Sequence, residues 1–241
     1  HRVTLSVSGP CCYGLHSAPV RDMFRPPMKR LIQSIFAAAA GLLIAAGAAQ
    51  AHPHVWITMT STVLYAPDGT VTGVRHAWTF DDMFSTFATQ GLESKQKGVF
   101  TREELQPLAE VNVTSLKEYE YFSYAKANGK KTQFTDPVDY HLELKDSLLT
   151  LHFTLPLKTP MKAQSLDIEV FDPSYFIDFT FAEKDGVLLK GAPATCKGVL
   201  VRPQEMNKAM ADRLSQISPD EKIPENTFGA QFANKILVHC P

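Results

Sequence analysis

The stretches VWITMTSTVLY (residues 55–65) and TVTGVRHAWTF (residues 70–80), joined by APDG (residues 66–69), decide the fold. The first alternates with a period of two. Val55, Ile57, Met59, Val63 and Tyr65 fall on one face, and Trp56, Thr58, Thr60 and Thr62 on the other, the pattern of a strand with one buried side. Pro67-Asp68-Gly69 is a turn signal, because proline presets φ and glycine supplies a positive φ. With Asp68-Gly69 as the two-residue loop, Val63 opposes Val74, Met59 opposes Trp78 and Ile57 opposes Phe80. The two apolar faces then coincide, whereas a slip of one residue would turn a whole strand inside out.

Outward from this hairpin the period changes. Residues 82–118 read as a helical insertion, with Phe84, Phe87 and Ala88 as one short stripe. Thr101-x-x-Glu104 is a capping box ahead of Leu105, Leu108 and Ala109, and Pro107 is expected to start or kink a helix. Strands are expected at about 119–126, 130–135, 138–145, 148–155, 164–171, 175–182, 187–190 and 196–202, with turns at Asn128-Gly129 and Asp185-Gly186. Residues 203–217 read as a helix with Met206, Met210 and Leu214 on one face, and Phe228, Phe232 and Ile236 suggest a last short helix. The expected fold is mainly β with α additions: an antiparallel, sandwich-like sheet domain with a helical insertion and C-terminal helices (203–241).

Ahead of the hairpin, Lys29 and Arg30 precede the apolar run Leu31 to Ala49 and an A-x-A exit at Ala49-Gln50-Ala51. That is a secretory signal peptide over 28–51, cleaved after Ala51, rather than a retained anchor. A start at Met23 or Met28 leaves residues 1–27 as a non-native upstream segment. The expected mature chain, 52–241, is one domain. Of the 24 basic and 25 acidic residues, five and one precede it, which leaves a net charge of −5. No basic block survives, so nucleic-acid binding is excluded, and nothing suggests insertion of the mature chain into a membrane. Cys11 and Cys12 are discarded. Cys196 and Cys240, an even pair in an exported chain, read as a disulfide in preference to two thiolate ligands without C-x-x-C spacing.

Cleavage would leave His52 as the first residue, with an α-amine and an imidazole together and His54 two residues on. Pro53 has no amide hydrogen, which blocks the square-planar site that needs deprotonated amides. Chelation by the amine and His52, with His54 as a further imidazole, remains, and imidazole suits zinc, copper and nickel. Extending the hairpin register puts Asp81 opposite Trp56 and Asp82 opposite Val55, so His54 and Asp81 become diagonal neighbours. The candidate ligands are therefore His52, His54 and Asp81, with Asp82 as substitute; the competing reading makes the aspartates helix caps. If Asp146-Ser147 turns strands 138–145 and 148–155, His141 faces His152 directly, either as a cross-strand chelate or as two exposed histidines that happen to face each other. His76, on the apolar face, reads as a core histidine bonded to Ser61. His239, beside Cys240, says little. Residues 93–104 echo a calcium loop, with Gly98 at position six and Glu104 at twelve. Lys95 and Lys97 stand where carboxylates belong, so the segment reads as a helix-loop-helix turn. Asp172-Pro173 initiates a turn, and Asp172 approaches the metal only if that turn lies at the same end of the sheet. No nucleophile elbow, phosphate loop or H-E-x-x-H is present, so no enzyme is expected.

Taken as a set, His52-Pro53-His54-Val55, Trp78-Thr79-Phe80-Asp81, the Gly98 loop, Leu155-Pro156-Leu157 and Asp172-Pro173-Ser174-Tyr175-Phe176 resemble domain of unknown function 1007, over roughly residues 52–203. The resemblance implies a periplasmic component of an uncharacterised ABC-type transport system and, through frequent association with nickel/cobalt-type transporters, a link to transition metals. The expected function is a periplasmic accessory protein that binds a divalent transition metal (nickel, cobalt, zinc or copper) and serves an inner-membrane metal transporter. The alternatives are a non-metal envelope interaction module and a copper enzyme with a histidine brace, whose third nitrogen would come from His141 or His152.

Overall fold

The computed structural model describes residues 54–96, 98–203, 206–215 and 229–241. The signal-peptide reading, the upstream segment, His52, Lys97, Phe228 and the side chain of Leu214 lie outside the described residues.

The opening hairpin forms as β1 (Val55–Tyr65) and β2 (Val71–Phe80), with Val63 opposite Val74, Met59 opposite Trp78 and Ile57 opposite Phe80. The loop differs in one respect. Ala66 N–H donates to Thr70 O (2.8 Å) and Gly69 N–H to Ala66 O (3.0 Å), so three residues, not two, make the turn. Gly69 takes φ +81°, and the extra residue is absorbed by a register shift between Leu64 and Tyr65.

Two sheets follow. In the first, β5 (Val138–Lys145), β6 (Leu148–Met161), β2, β1 and β8 (Ile177–Phe181) lie in that order, and β9 (Val187–Lys190) also pairs with β1. The second runs β10 (Lys197–Val201), β11 (Asn234–His239), β7 (Ser165–Val170), β3 (Ser123–Ala127), β4 (Lys130–Thr132). Pairing is antiparallel except where β8 and β9 run parallel to β1, so the first sheet is mixed. The chain has left for the second sheet and returned by then, and it re-enters in the direction of β1. Ile57, Met59, Trp78, Phe153, Leu155 and Phe181 from the first sheet meet Leu166, Ile168, Val170 and Ile236 from the second in one buried cluster. This is a sandwich core.

Between β2 and β3 lie helices α1 (Asp82–Thr89) and α2 (Arg102–Leu116) and a 3-10 segment, Lys117–Phe122. The capping box forms: Thr101 Oγ1 accepts from Glu104 N–H and Glu104 Oε2 from Thr101 N–H. Pro107 neither starts nor ends the helix; it lies inside α2. Burial of Leu105, Ala109 and Val113 on one face outweighs the bond proline cannot make. In α1, Phe84 and Ala88 pack inward, but Phe87 is 73 % exposed. The helix is rotated because buried Ser85 faces the core, donating to Phe80 O and accepting from Leu149 N–H at 2.9 Å.

Two further corrections fall at the C-terminus. The helix expected over 203–217 is α3, Lys208–Ser215, within the described residues. The expected final helix is a 3-10 turn, Gly229–Phe232, followed by β11. Ile236 and Val238 alternate inward between β7 and β10, and their period-two burial overrides the four-residue spacing of the aromatics. The Cys196–Cys240 disulfide is present and joins the ends of β10 and β11.

Candidate functional site

The outward face of the first sheet positions His54, His141 and His152 among the candidate ligands that the structure describes. Here β1 presents Trp56, Thr58 and Thr60, β2 presents Arg75, Ala77 and Thr79, and β6 presents Thr150, His152 and Thr154. At the sheet edge β5 adds His141 and Glu143. Thr58 and Thr180 are exposed and Trp56 is 46 % exposed, so much of this face meets solvent.

The β5–β6 register makes His141 the direct partner of His152, with Leu142 on Leu151 and Leu144 on Leu149. The imidazoles stack, with centroids 4.6 Å apart and planes 10° from parallel. Two tetrahedral nitrogen ligands at ~2.05 Å from zinc stand about 3.3 Å apart, so the two rings would have to turn out of this stack to aim their lone pairs at one ion. His141 Nδ1 is buried without a hydrogen-bond partner. His152 Nε2 lies 3.5 Å from Glu143 Oε2, an ion-pair distance outside good hydrogen-bond geometry. Burial holds both imidazoles below the usual histidine pKa. His141 is lowered further by His152, Arg102 and Arg75, and His152 by Arg75 and Arg102, while Glu143 opposes the shift at both. Two neutral imidazoles, the form that ligates metal, therefore face one another beside a carboxylate. Among the described residues no group of three or more His, Cys, Asp and Glu side chains is placed to hold a metal ion.

His54 and Asp81 lie at another end of the first sheet. His54 enters β1 with its N–H bonded to Phe176 O (2.9 Å) and its ring 4.8 Å from that of Phe176. Asp81 does stand opposite Trp56, as the register requires: its N–H donates to Trp56 O at 2.9 Å. Its carboxylate serves the backbone. Oδ1 accepts from Phe84 N–H (2.8 Å) as the N-cap of α1, and Oδ2 accepts from Trp56 N–H (2.9 Å). Asp82 is the first residue of α1, not a strand partner of Val55, and its Oδ1 accepts from Met83 N–H. His152 faces Ala77, which faces Thr60, six residues along β1 from His54, or about 20 Å. Two further residues of chain span at most about 7 Å. The third nitrogen of an N-terminal brace therefore cannot come from His141 or His152 of the same molecule.

Asp172 is buried within its own loop. Its carboxylate accepts from Ser174 N–H (2.8 Å), Ser174 Oγ (2.7 Å) and Ile177 N–H (3.0 Å), and it shapes the turn that launches β8. A Cβ on Gly229 would strike Asp172 O, so only glycine lets the 3-10 turn ahead of β11 approach this loop. Glu104 of the calcium-like frame is taken up by the capping box and by Lys95 N–H (2.9 Å), and Gly98 has φ +77°. This is the helix-loop-helix turn expected. His76 is fully buried, its Nδ1 2.8 Å from Ser61 Oγ and its Nε2 3.4 Å from Ser123 Oγ, and burial pushes its pKa down to about 3. The link to Ser123 ties the two sheets together; Ser123 lies 47 residues away in sequence, and no local pattern announces it.

A groove of about 1430 Å³ on the second sheet is lined by Tyr121, Tyr124, Phe171, Lys126, Lys131 and Lys158 among others. It contains neither histidine nor cysteine, so the imidazole and thiolate ligands that suit nickel, copper and zinc do not line it. Glu143 and Arg75 are the members of the outward face that sequence reasoning missed; their alternation with His141 and Ala77 was the available signal.

The profile of the family described as "Protein of unknown function (DUF1007)" matches residues 37–240. An uncharacterised protein of Haemophilus influenzae is 27 % identical over 204 residues, covering 83 % of this chain and 96 % of that protein. An uncharacterised 15.5 kDa protein of Spirochaeta aurantia is 29 % identical over 94 residues, covering 39 % of this chain and 67 % of its own length.

Proposed function

The chain belongs to the DUF1007 family of proteins of unknown function, and on that footing we propose that it is a periplasmic accessory protein that binds a divalent transition metal and passes it to an inner-membrane metal transporter. The observation that supports this reading is the His141–His152 pair, two imidazoles stacked across β5 and β6 with the Glu143 carboxylate beside them. Export is supported by the Cys196–Cys240 disulfide, which persists in oxidising compartments. Among the described residues no helix is long and apolar enough to cross a membrane. An ion held by few protein ligands keeps positions open to a recipient, which suits delivery better than storage.

Native mass spectrometry of the chain from residue 52, offered zinc, nickel, cobalt and copper in turn, tests it. One retained ion is expected, lost in the His141→Ala, His152→Ala double variant. Loss only in the His52→Ala, His54→Ala double variant moves the ion to the amino terminus. No specific uptake by the parent protein rejects the metal reading. An envelope interaction module is then the reading to pursue, favoured by Met83 and Phe87, adjacent on α1 and 72 % and 73 % exposed.

A further inference from the structure

We infer that the His141–His152 site takes its ion together with a small polycarboxylate anion, which Arg75 and Arg102 hold beside the metal. The inference deepens the metal reading above and rests on it.

Donor number comes first. The chain offers two imidazoles and, by a swing of its 57 % exposed side chain, Glu143. A four-coordinate ion keeps at least one position for an outside ligand. Charge comes second. Arg75 lies on β2 opposite Thr154, diagonal to His152, and a nitrogen of its guanidinium donates to Thr154 Oγ1 at 3.1 Å. Arg102 begins α2, which packs along β5, and its charge reaches both imidazoles. A divalent ion, one carboxylate and two guanidiniums would leave an excess of positive charge on this patch. Bare metal is disfavoured there, and an anion that ligates the metal while pairing with the guanidiniums removes the excess. Guanidinium geometry comes third. Its planar fork matches a carboxylate with two parallel hydrogen bonds, and Thr154 engages only one nitrogen of Arg75. Access is the last element: the site sits at the edge strand of the sheet, with the His152 side chain 23 % exposed and that of Glu143 57 % exposed.

The test is native mass spectrometry of the chain from residue 52 with zinc alone, citrate alone, and zinc with citrate. Zinc alone is expected to be retained weakly, zinc with citrate more tightly and as one species of protein with one zinc and one citrate, and citrate alone not at all. Arg75→Gln and Arg102→Gln, both surface changes checked for folding by circular dichroism, should lose the citrate mass. If the parent protein holds zinc equally well alone and citrate merely strips it, the inference is overturned and the metal reading stands. Citrate retained without zinc, or retained undiminished by the double Arg→Gln variant, also overturns it. No zinc under any condition overturns both.

Discussion

His76 is a charge-capable group with no room for charge. Burial holds its pKa at about 3, well below the 6.5 of an exposed imidazole. The folded state therefore binds fewer protons than the unfolded state between those values. The neutral ring contributes fully above pH 6.5, and its contribution is lost as pH falls toward 3, at up to about 1.4 kcal/mol per pH unit. Acid titration of urea stability should show this slope below pH 6.5 in the parent protein. It should be reduced in His76→Gln, leaving the share of His141 and His152, and the change itself costs roughly 1–3 kcal/mol because Ser61 and Ser123 lose their shared partner. An unchanged slope in the variant would remove His76 as the acid-sensitive group. The sequence announced half of this arrangement: alternation put His76 on the apolar face opposite Ser61, but Ser123 arrives from the other sheet.

At the scale of elements, Asp81 joins three of them. One carboxylate oxygen caps α1 and the other takes the N–H of Trp56 at the mouth of β1, beside the last rung of β2. Asp81→Ala is expected to lower stability by about 1–3 kcal/mol, the loss of an N-cap plus an orphaned strand N–H. Asp81→Asn, which keeps an acceptor oxygen, should cost less. Zinc uptake should follow His141 and His152 and stay unchanged in Asp81→Ala; a parallel loss of zinc would restore Asp81 as a ligand. The register that placed Asp81 opposite Trp56 was readable because hairpin pairing is set by alternation and turn chemistry. Which way its carboxylate turns depends on the rotation of α1, and that follows from Ser85 reaching Leu149 across 64 residues of chain. The same rotation put Phe87 outside, against the helical stripe that seemed to bury it.

For the molecule as a whole, the Cys196–Cys240 disulfide fastens β11, the last strand, to β10 at the sheet edge. Closing a loop with a sequence separation of 44 contributes about 4 kcal/mol in the chain-entropy account. Reduction, or Cys196→Ser with Cys240→Ser, should shift the urea midpoint down by a corresponding amount, while zinc uptake on the far sheet remains. An unmoved midpoint would mean that β11 is held by its ladder and core contacts alone.

Much of this protein was written locally. Alternation specified the opening hairpin, the β5–β6 register and hence the facing of His141 and His152, and the Thr101–Glu104 capping box, because each depends on residues near in sequence. The cysteine pair was legible because Cys196 and Cys240 are the two cysteines that follow residue 51 in the sequence. The tertiary structure decided the rest. It turned β8 and β9 parallel to β1, made a strand of residues 234–239, kept Pro107 inside a helix and separated His54 from His152 by about 20 Å. These outcomes depend on which distant surface each segment is buried against, and burial between remote segments carries more free energy than the propensity of any one of them.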